Sequence, residues 1–242
     1  PADAVMLKGH FVAEATATIE SESRLFASAE SECLALEPAV SVNAGSVSNG
    51  SMTTGSVLYV GRLSAEKGIE FLLQSWLHAN IKTPLTVLGT GPLQERCQQL
   101  AAQCYAVTLC GAKPRAEVLQ SMRQASLLVV PSLCLETFGL VVLEAFAQRL
   151  PVLVAGHGGL ADLVRPEQLG WHFTAGDAAD LATKVEQILA PSFASERQRC
   201  VEQAYAFVTE QCSAESNYQQ LMAIYQQAIT AQAMRAQSQD AT

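Results

Sequence analysis

The chain has 242 residues, of which 49% are apolar and only 16% charged, with a mean hydropathy of +0.17. That is enough apolar material for a core, which excludes a wholly disordered chain. Fifteen basic against 23 acidic residues leave a net charge of −8, which excludes nucleic-acid binding through a broad basic face. No apolar run approaches the roughly 18 residues of a membrane span. No secretory signal opens the chain, and Pro1 stands where a methionine would, so an upstream segment is expected. The cysteines number seven, an odd count, and form no C-x-x-C pair. They read as reduced, mostly buried thiols of a cytoplasmic protein rather than a disulfide or zinc framework.

Residues 1–44 are rich in Ala, Ser and Glu and only weakly periodic. Leu25, Ala29, Cys33 and Leu36 fit one helix face, and Ala39–Asn43 (AVSVN) fits a short strand. Residues 45–56, GSVSNGSMTTGS, read as a linker. From Val57 the pattern changes. Short β-branched runs at Val57–Val60, Leu85–Leu88, Val107–Cys110, Leu127–Val130, Val152–Val154 and Trp171–Phe173 alternate with helical stretches. Ile69, Leu72, Leu73, Trp76 and Leu77 mark the first helix. Others follow near Leu93–Cys104, Ala116–Gln124, Leu140–Gln148 and Ala178–Leu189. Apolar strands alternating with amphipathic helices predict an α/β fold, a doubly wound parallel sheet covered on both faces over 57–190. Residues 191–242 predict two closing helices, Phe193–Gln211 and one from near Ser213. The latter carries Tyr218, Leu221, Met222, Tyr225 and Ile229 on one stripe. The polar tail after Ala231 is expected to fray.

Ligands of such a fold bind at the carboxyl ends of the strands. The first strand ends in Gly61-Arg62-Leu63-Ser64-Ala65-Glu66-Lys67-Gly68. Gly61 permits a tight turn, and Arg62 and Lys67 suit a diphosphate; solvated loop charges are the plainer reading. The second strand ends in Gly89-Thr90-Gly91-Pro92, which lacks the third glycine of a dinucleotide fingerprint. Pro92 at a first helical position explains it without a ligand.

The fourth strand leads to Pro131-Ser-Leu-Cys-Leu-Glu136-Thr-Phe138-Gly139-Leu-Val-Val-Leu-Glu144. Gly139 would open a helix with the amides of Gly139, Leu140 and Val141 free for an anion. Glu144, among apolar neighbours, needs a partner: adjacent ribose hydroxyls or an ordinary salt bridge. The fifth strand is followed by Gly156-His157-Gly158-Gly159-Leu-Ala-Asp162, where glycines let backbone approach a ligand. His157 reads mainly as an isolated histidine and Asp162 as a first-turn helix charge.

The ordered set G-R-L-x-x-x-K-G, G-x-G-P, P-S-x-x-E-x-F-G-L-V-x-L-E-A, P-V and G-G resembles the donor-binding domain of retaining GT-B glycosyltransferases of family 4. The resemblance covers Val57 to Leu189, and the closing helices are similar to that family's C-terminal pair. It implies that 57–190 is a nucleotide-sugar-binding, Rossmann-like domain, the C-terminal half of a GT-B fold. Arg62 and Lys67 would hold the donor diphosphate and stabilise the leaving phosphate. Glu136 would orient the donor sugar, and these three are the expected catalytic residues. Glu144 would bind the ribose; Gly61, Gly91, Phe138 and the amides of Gly139, Leu140 and Val141 would line the donor site. Backbone at Ala112 and Lys113 would face the base.

No metal or other cofactor is expected, consistent with the absence of a D-x-D motif. The resemblance also implies an N-terminal GT-B domain or split-subunit partner carrying the acceptor site, with residues 1–44 a remnant of such a domain. The final helix would then expose its apolar stripe. The expected role is polysaccharide biosynthesis, in the cytoplasm or at the inner membrane face, though no basic amphipathic helix marks a membrane contact. The alternatives are a non-catalytic nucleotide-sugar-binding regulatory module, or another GT-B enzyme such as an epimerase or phosphorylase. One departure stands out. Arg149 replaces the glycine of the family's A-x-G-x-P, so the turn differs or Arg149 is strained.

Overall fold

Six short apolar strands stack side by side, all parallel, in a computed structural model that describes residues 55–134, 139–165 and 168–239. The chain falls into two units, Pro1–Val40 and Ser41–Thr242, and every element named below belongs to the second. The expected N-terminal segment, and the linker as far as residue 54, lie outside the described residues.

The strands are β1 (Val57–Val60), β2 (Leu85–Leu88), β3 (Val107–Leu109), β4 (Leu127–Val130), β5 (Val152–Ala155) and β6 (Trp171–Phe173). Their order in the sheet is β3-β2-β1-β4-β5-β6. The helices are α1 (Ile69–His78), α2 (Gln94–Ala101), α3 (Arg115–Gln124), α4 (Leu140–Ala147), α5 (Gly158–Leu163), α6 (Ala178–Leu189), α7 (Ala194–Gln211) and α8 (Ala214–Gln239). Parallel neighbours require a crossover each, and right-handed crossovers that reverse direction after β3 place helices on both faces.

The strand residues alternate accordingly. Val57, Tyr59, Leu85, Val87, Leu127, Val129, Leu153, Ala155, Trp171 and Phe173 join one core cluster with Leu72 and Trp76 of α1 and Leu181, Val185 and Ile188 of α6. Leu58, Leu128, Val152 and Val154 point the other way and are equally buried, on the side where α3, α4 and α7 pack in sequence. Burial on both faces is why these strands read as continuous apolar runs. Trp76 anchors the first layer: it is fully buried, and its indole N–H donates to the Thr83 carbonyl at 2.9 Å.

Four local expectations are corrected. Pro92 does not open a helix; it lies in the turn before α2, which starts at Gln94. The helix expected at Asp162 starts earlier: α5 opens at Gly158, so Asp162 falls near its end rather than in its first turn. The stretch after Ala231 stays helical to Gln239. Of the six described cysteines only Cys97, Cys104 and Cys200 are buried, while Cys110 is exposed and Cys134 and Cys212 are half-buried.

Arg149 adopts the left-handed conformation, φ 55°. Its guanidinium stacks 3.5 Å from the centroid of the Tyr205 ring, and its Nε lies 3.4 Å from Glu202. Contacts with α7 therefore hold a turn that a glycine would make unaided. The start of α8 is set by Ser213, whose hydroxyl accepts from the Ser216 amide at 3.1 Å.

Candidate functional site

A doubly wound sheet opens a crevice where the strand order reverses, here between the carboxyl ends of β1 and β4. A cleft of about 320 Å³ occupies that position. It is lined by Tyr59 and Val60 of β1 with Gly61 after it, by Val130 of β4 with Ser132 beyond it, and by Leu140 and Val141 of α4 with Gly139 before it. Lys67 and Leu160 complete it. Thus Gly61, Lys67, Gly139, Leu140 and Val141, selected from separate segments, meet in one place.

Each wall has a local cause. Gly139 has φ 64° and caps α4 without a side-chain hydrogen bond, so the first amides of the helix have no intrahelical partners. A Cβ at Gly139 would stand 2.5 Å from Leu160 Cδ2, and the left-handed backbone already disfavours any side chain, so glycine is the residue that fits. Gly61 does not make a left-handed turn; a Cβ there would stand 3.1 Å from the Tyr59 hydroxyl, a tight approach to the end of a side chain. That hydroxyl donates to the Arg62 carbonyl at 2.9 Å, fixing the backbone beneath the loop cations.

The loop carrying Arg62 and Lys67 is tied down on two sides. Gly68 takes φ 67°, and a Cβ there would collide with the Pro131 carbonyl at 1.9 Å. The Glu66 carbonyl accepts from the amides of Leu133 at 2.8 Å and Cys134 at 3.2 Å, joining the β1 and β4 loops. Ser64 Oγ donates to Glu66 Oε1 at 2.6 Å. This bond first, with Glu66's own backbone amide, and with smaller pulls from Arg62 and Lys67, holds the Glu66 carboxyl below the usual carboxylate range. Arg62 itself is exposed beside Gly61.

Glu144 lies one turn into α4, its side chain 25% exposed while Val142, Leu143, Ala145 and Phe146 around it are buried. Its Oε1 is 3.5 Å from Nη2 of Arg115, the first residue of α3. The carboxylate thus has a protein partner, the ion pair that its apolar setting called for.

Other expected residues sit outside the cleft lining. Gly91 packs against backbone: a Cβ there would meet the Leu63 carbonyl oxygen at 2.4 Å. Ala112 and Lys113 are exposed in the loop after β3, and Lys113 pairs with Glu117 at 3.1 Å. His157 Nε2–H donates to the Ser132 carbonyl at 2.8 Å, linking the β5 and β4 loops. Glu136 and Phe138 lie outside the described residues. Among the described residues no group of three or more His, Cys, Asp or Glu is placed to hold a metal ion, and no helix is long and apolar enough to cross a membrane.

Residues 47–207 match the family described as glycosyl transferases group 1, a span that takes in every element from β1 to most of α7. The chain belongs to this family. It is 35% identical over 146 residues to the sulfoquinovosyl transferase SQD2 of Arabidopsis thaliana, covering 59% of this chain and 28% of that protein. Among solved structures, the sucrose-phosphate synthase of Thermosynechococcus elongatus superposes with a TM-score of 0.63 at 28% identity, covering 73% of this chain and 46% of that one. Anabaena HepE, solved in complex with UDP and glucose, superposes with a TM-score of 0.63 at 21% identity, covering 72% and 49%. The fold is that of the C-terminal, Rossmann-like half of GT-B glycosyltransferases. The chain spans about a third of the length of the curated relatives it matches.

Within this glycosyl transferase domain the sequence reading passed over Tyr59, Ser132 and Leu160 of the cleft, and Arg115. Tyr59 and Leu160 sit in apolar patterns that read as core. Ser132 stands in the motif P-S-x-x-E, which by itself gives it no role in the cleft.

Proposed function

We propose that the chain is the donor-binding half of a family 4 GT-B glycosyltransferase, which transfers a sugar from a nucleotide-diphosphate sugar to an acceptor with retention of configuration. The observation that carries this reading is the convergence on one switch-point cleft of Gly61 and Lys67 from one side and the uncapped start of α4 from the other. Cleaving a glycosyl–phosphate bond builds negative charge on the phosphate and positive charge on the sugar ring. Arg62, Lys67 and the α4 amides stabilise the first charge; Glu136 favours the second and orients the sugar. Fixed side-chain cations then do the work a divalent ion does elsewhere, so the reaction proceeds without a metal. Glu144 binds the ribose, and backbone around Ala112 and Lys113 faces the base.

The acceptor site lies on an N-terminal GT-B domain or a split-subunit partner, and the domain limits are 57–190 for the donor domain and 191–242 for the closing helices. The exposed stripe of α8 supports such a second domain. The role is in polysaccharide biosynthesis on the cytoplasmic side, including the inner membrane face.

The test is calorimetric titration of the chain with UDP, GDP and ADP, repeated on Glu144→Ala. UDP is the first to try, because a structural neighbour was solved with UDP-glucose. One nucleotide binds the wild-type chain, and Glu144→Ala weakens it by about tenfold or more, the cost of losing charge-assisted hydrogen bonds. Binding by none of the three overturns the reading.

A further inference from the structure

Two cations follow β3, and each has a carboxylate partner. Lys113, in the loop before α3, pairs with Glu117 in the first turn of that helix, 3.1 Å away. Arg115 is different. It is the first residue of α3, where the helix dipole and unpaired amides favour an acid and disfavour a cation. Local helix chemistry therefore does not explain it. Its guanidinium instead reaches α4, with Nη2 3.5 Å from Glu144 Oε1. With side-chain exposures of 46% and 25%, the pair contributes little to stability by itself.

A glutamate has three rotatable side-chain bonds, and a ligand that needs its carboxylate in one place must first order it. A guanidinium at ion-pair distance from one oxygen favours the rotamers that keep the carboxylate facing it. We propose that Arg115 is a positioning residue for ribose recognition: it holds Oε1 of Glu144 so that Oε2 is presented to the ribose hydroxyls of the nucleotide. This rests on the reading of the cleft as a nucleotide-sugar site. The two partners come from the elements that follow β3 and β4, so the pair couples the base-side loop to the ribose-side helix.

The test is binding of the nucleoside diphosphate and of its 2′,3′-dideoxy analogue to the wild-type chain, Arg115→Ala, Arg115→Lys, Glu144→Gln and the Arg115→Ala/Glu144→Gln double variant. Thermal melts establish that each variant is folded. Arg115→Ala is expected to weaken the ribonucleotide roughly five- to tenfold and to leave the dideoxy analogue unchanged. Arg115→Lys restores part of the loss, and Arg115→Ala adds nothing once Glu144 is already Gln. A purely structural role would not discriminate between the two sugars.

Equal weakening of both nucleotides, or ribonucleotide binding unchanged or tightened in Arg115→Ala, overturns the proposal while leaving the donor site standing. A wild-type chain that binds no nucleotide overturns the donor reading itself, and this inference with it. That outcome is read before any variant is made.

Discussion

Trp76 in α1 and Tyr225 in α8 are both large aromatic residues on helices with an apolar stripe, yet the first is fully buried and the second is 50% exposed. The same holds around them. Leu72 and Ile69 of α1 have no exposed surface, whereas Ile224 and Ile229 of α8 are each 60% exposed. Residue type does not separate the two helices; a second layer does. The sheet offers α1 a continuous apolar face, flanked by α2 and α6. Among the described residues nothing comparable covers the stripe of α8. An amphipathic pattern therefore announces that a helix will bury one side, without naming what it buries it against.

The sharpest test of this contrast starts with a truncation in α1. Trp76→Ala leaves a large cavity and orphans the Thr83 carbonyl, so it should lower the unfolding free energy by about 3–5 kcal/mol in urea denaturation. A cost below 1 kcal/mol would show that the α1 layer is not part of the cooperative core. Arg149→Ala comes next. It loses the Tyr205 stack and the Glu202 contact while keeping the left-handed backbone, for a cost of about 1–2 kcal/mol. Arg149→Gly relieves the backbone and should recover roughly 1 kcal/mol of that. If glycine is no better than alanine, the turn is not held against strain by α7.

Alkaline pH probes the sheet domain from another side. Burial pushes the Cys200 thiol from an ordinary 9.0 up to about 12. The raised folded-state value means that Cys200 contributes stability in full below the free-thiol range. That contribution is lost as pH rises from about 9 towards 12. Stability measured across this window should fall less steeply in Cys200→Ala. A slope unchanged by the substitution would place the cost elsewhere. In the folded chain at pH 8, a thiol reagent should reach exposed Cys110 at once and Cys200 only on unfolding.

The smallest expected effect is on α8. Tyr225→Ala should alter stability by no more than about 0.5 kcal/mol, as for exposed positions generally. A loss of 2 kcal/mol or more would show that the stripe is covered, and would erase the contrast with α1.

The strands and most helix limits were legible in the sequence. Val57–Val60 and Leu127–Val130 are continuous apolar runs because both faces of a parallel strand are covered, a demand that leaves its mark at every position. The start of α5 was misplaced because Gly158-Gly159 opens it, and glycines signal a loop more strongly than the first turn of a short helix signals itself. In the site, Gly139 and Lys67 were legible because a helix start, and two cations between a strand end and a helix in an acidic chain, carry meaning locally. Tyr59 was not. Its hydroxyl reaches the Arg62 carbonyl from a position that alternation assigns simply to the core.

What the sequence determined by itself was the order of elements, the parallel sheet they imply and the family to which the chain belongs, since each rests on neighbours along the chain. What only the tertiary structure decided were pairings across it. Arg115 meets Glu144, Arg149 leans on Tyr205 and Glu202, and His157 holds the Ser132 carbonyl. Each of these depends on which helix or loop lies beside which in space. Strand order sets that arrangement, and no local pattern encodes it.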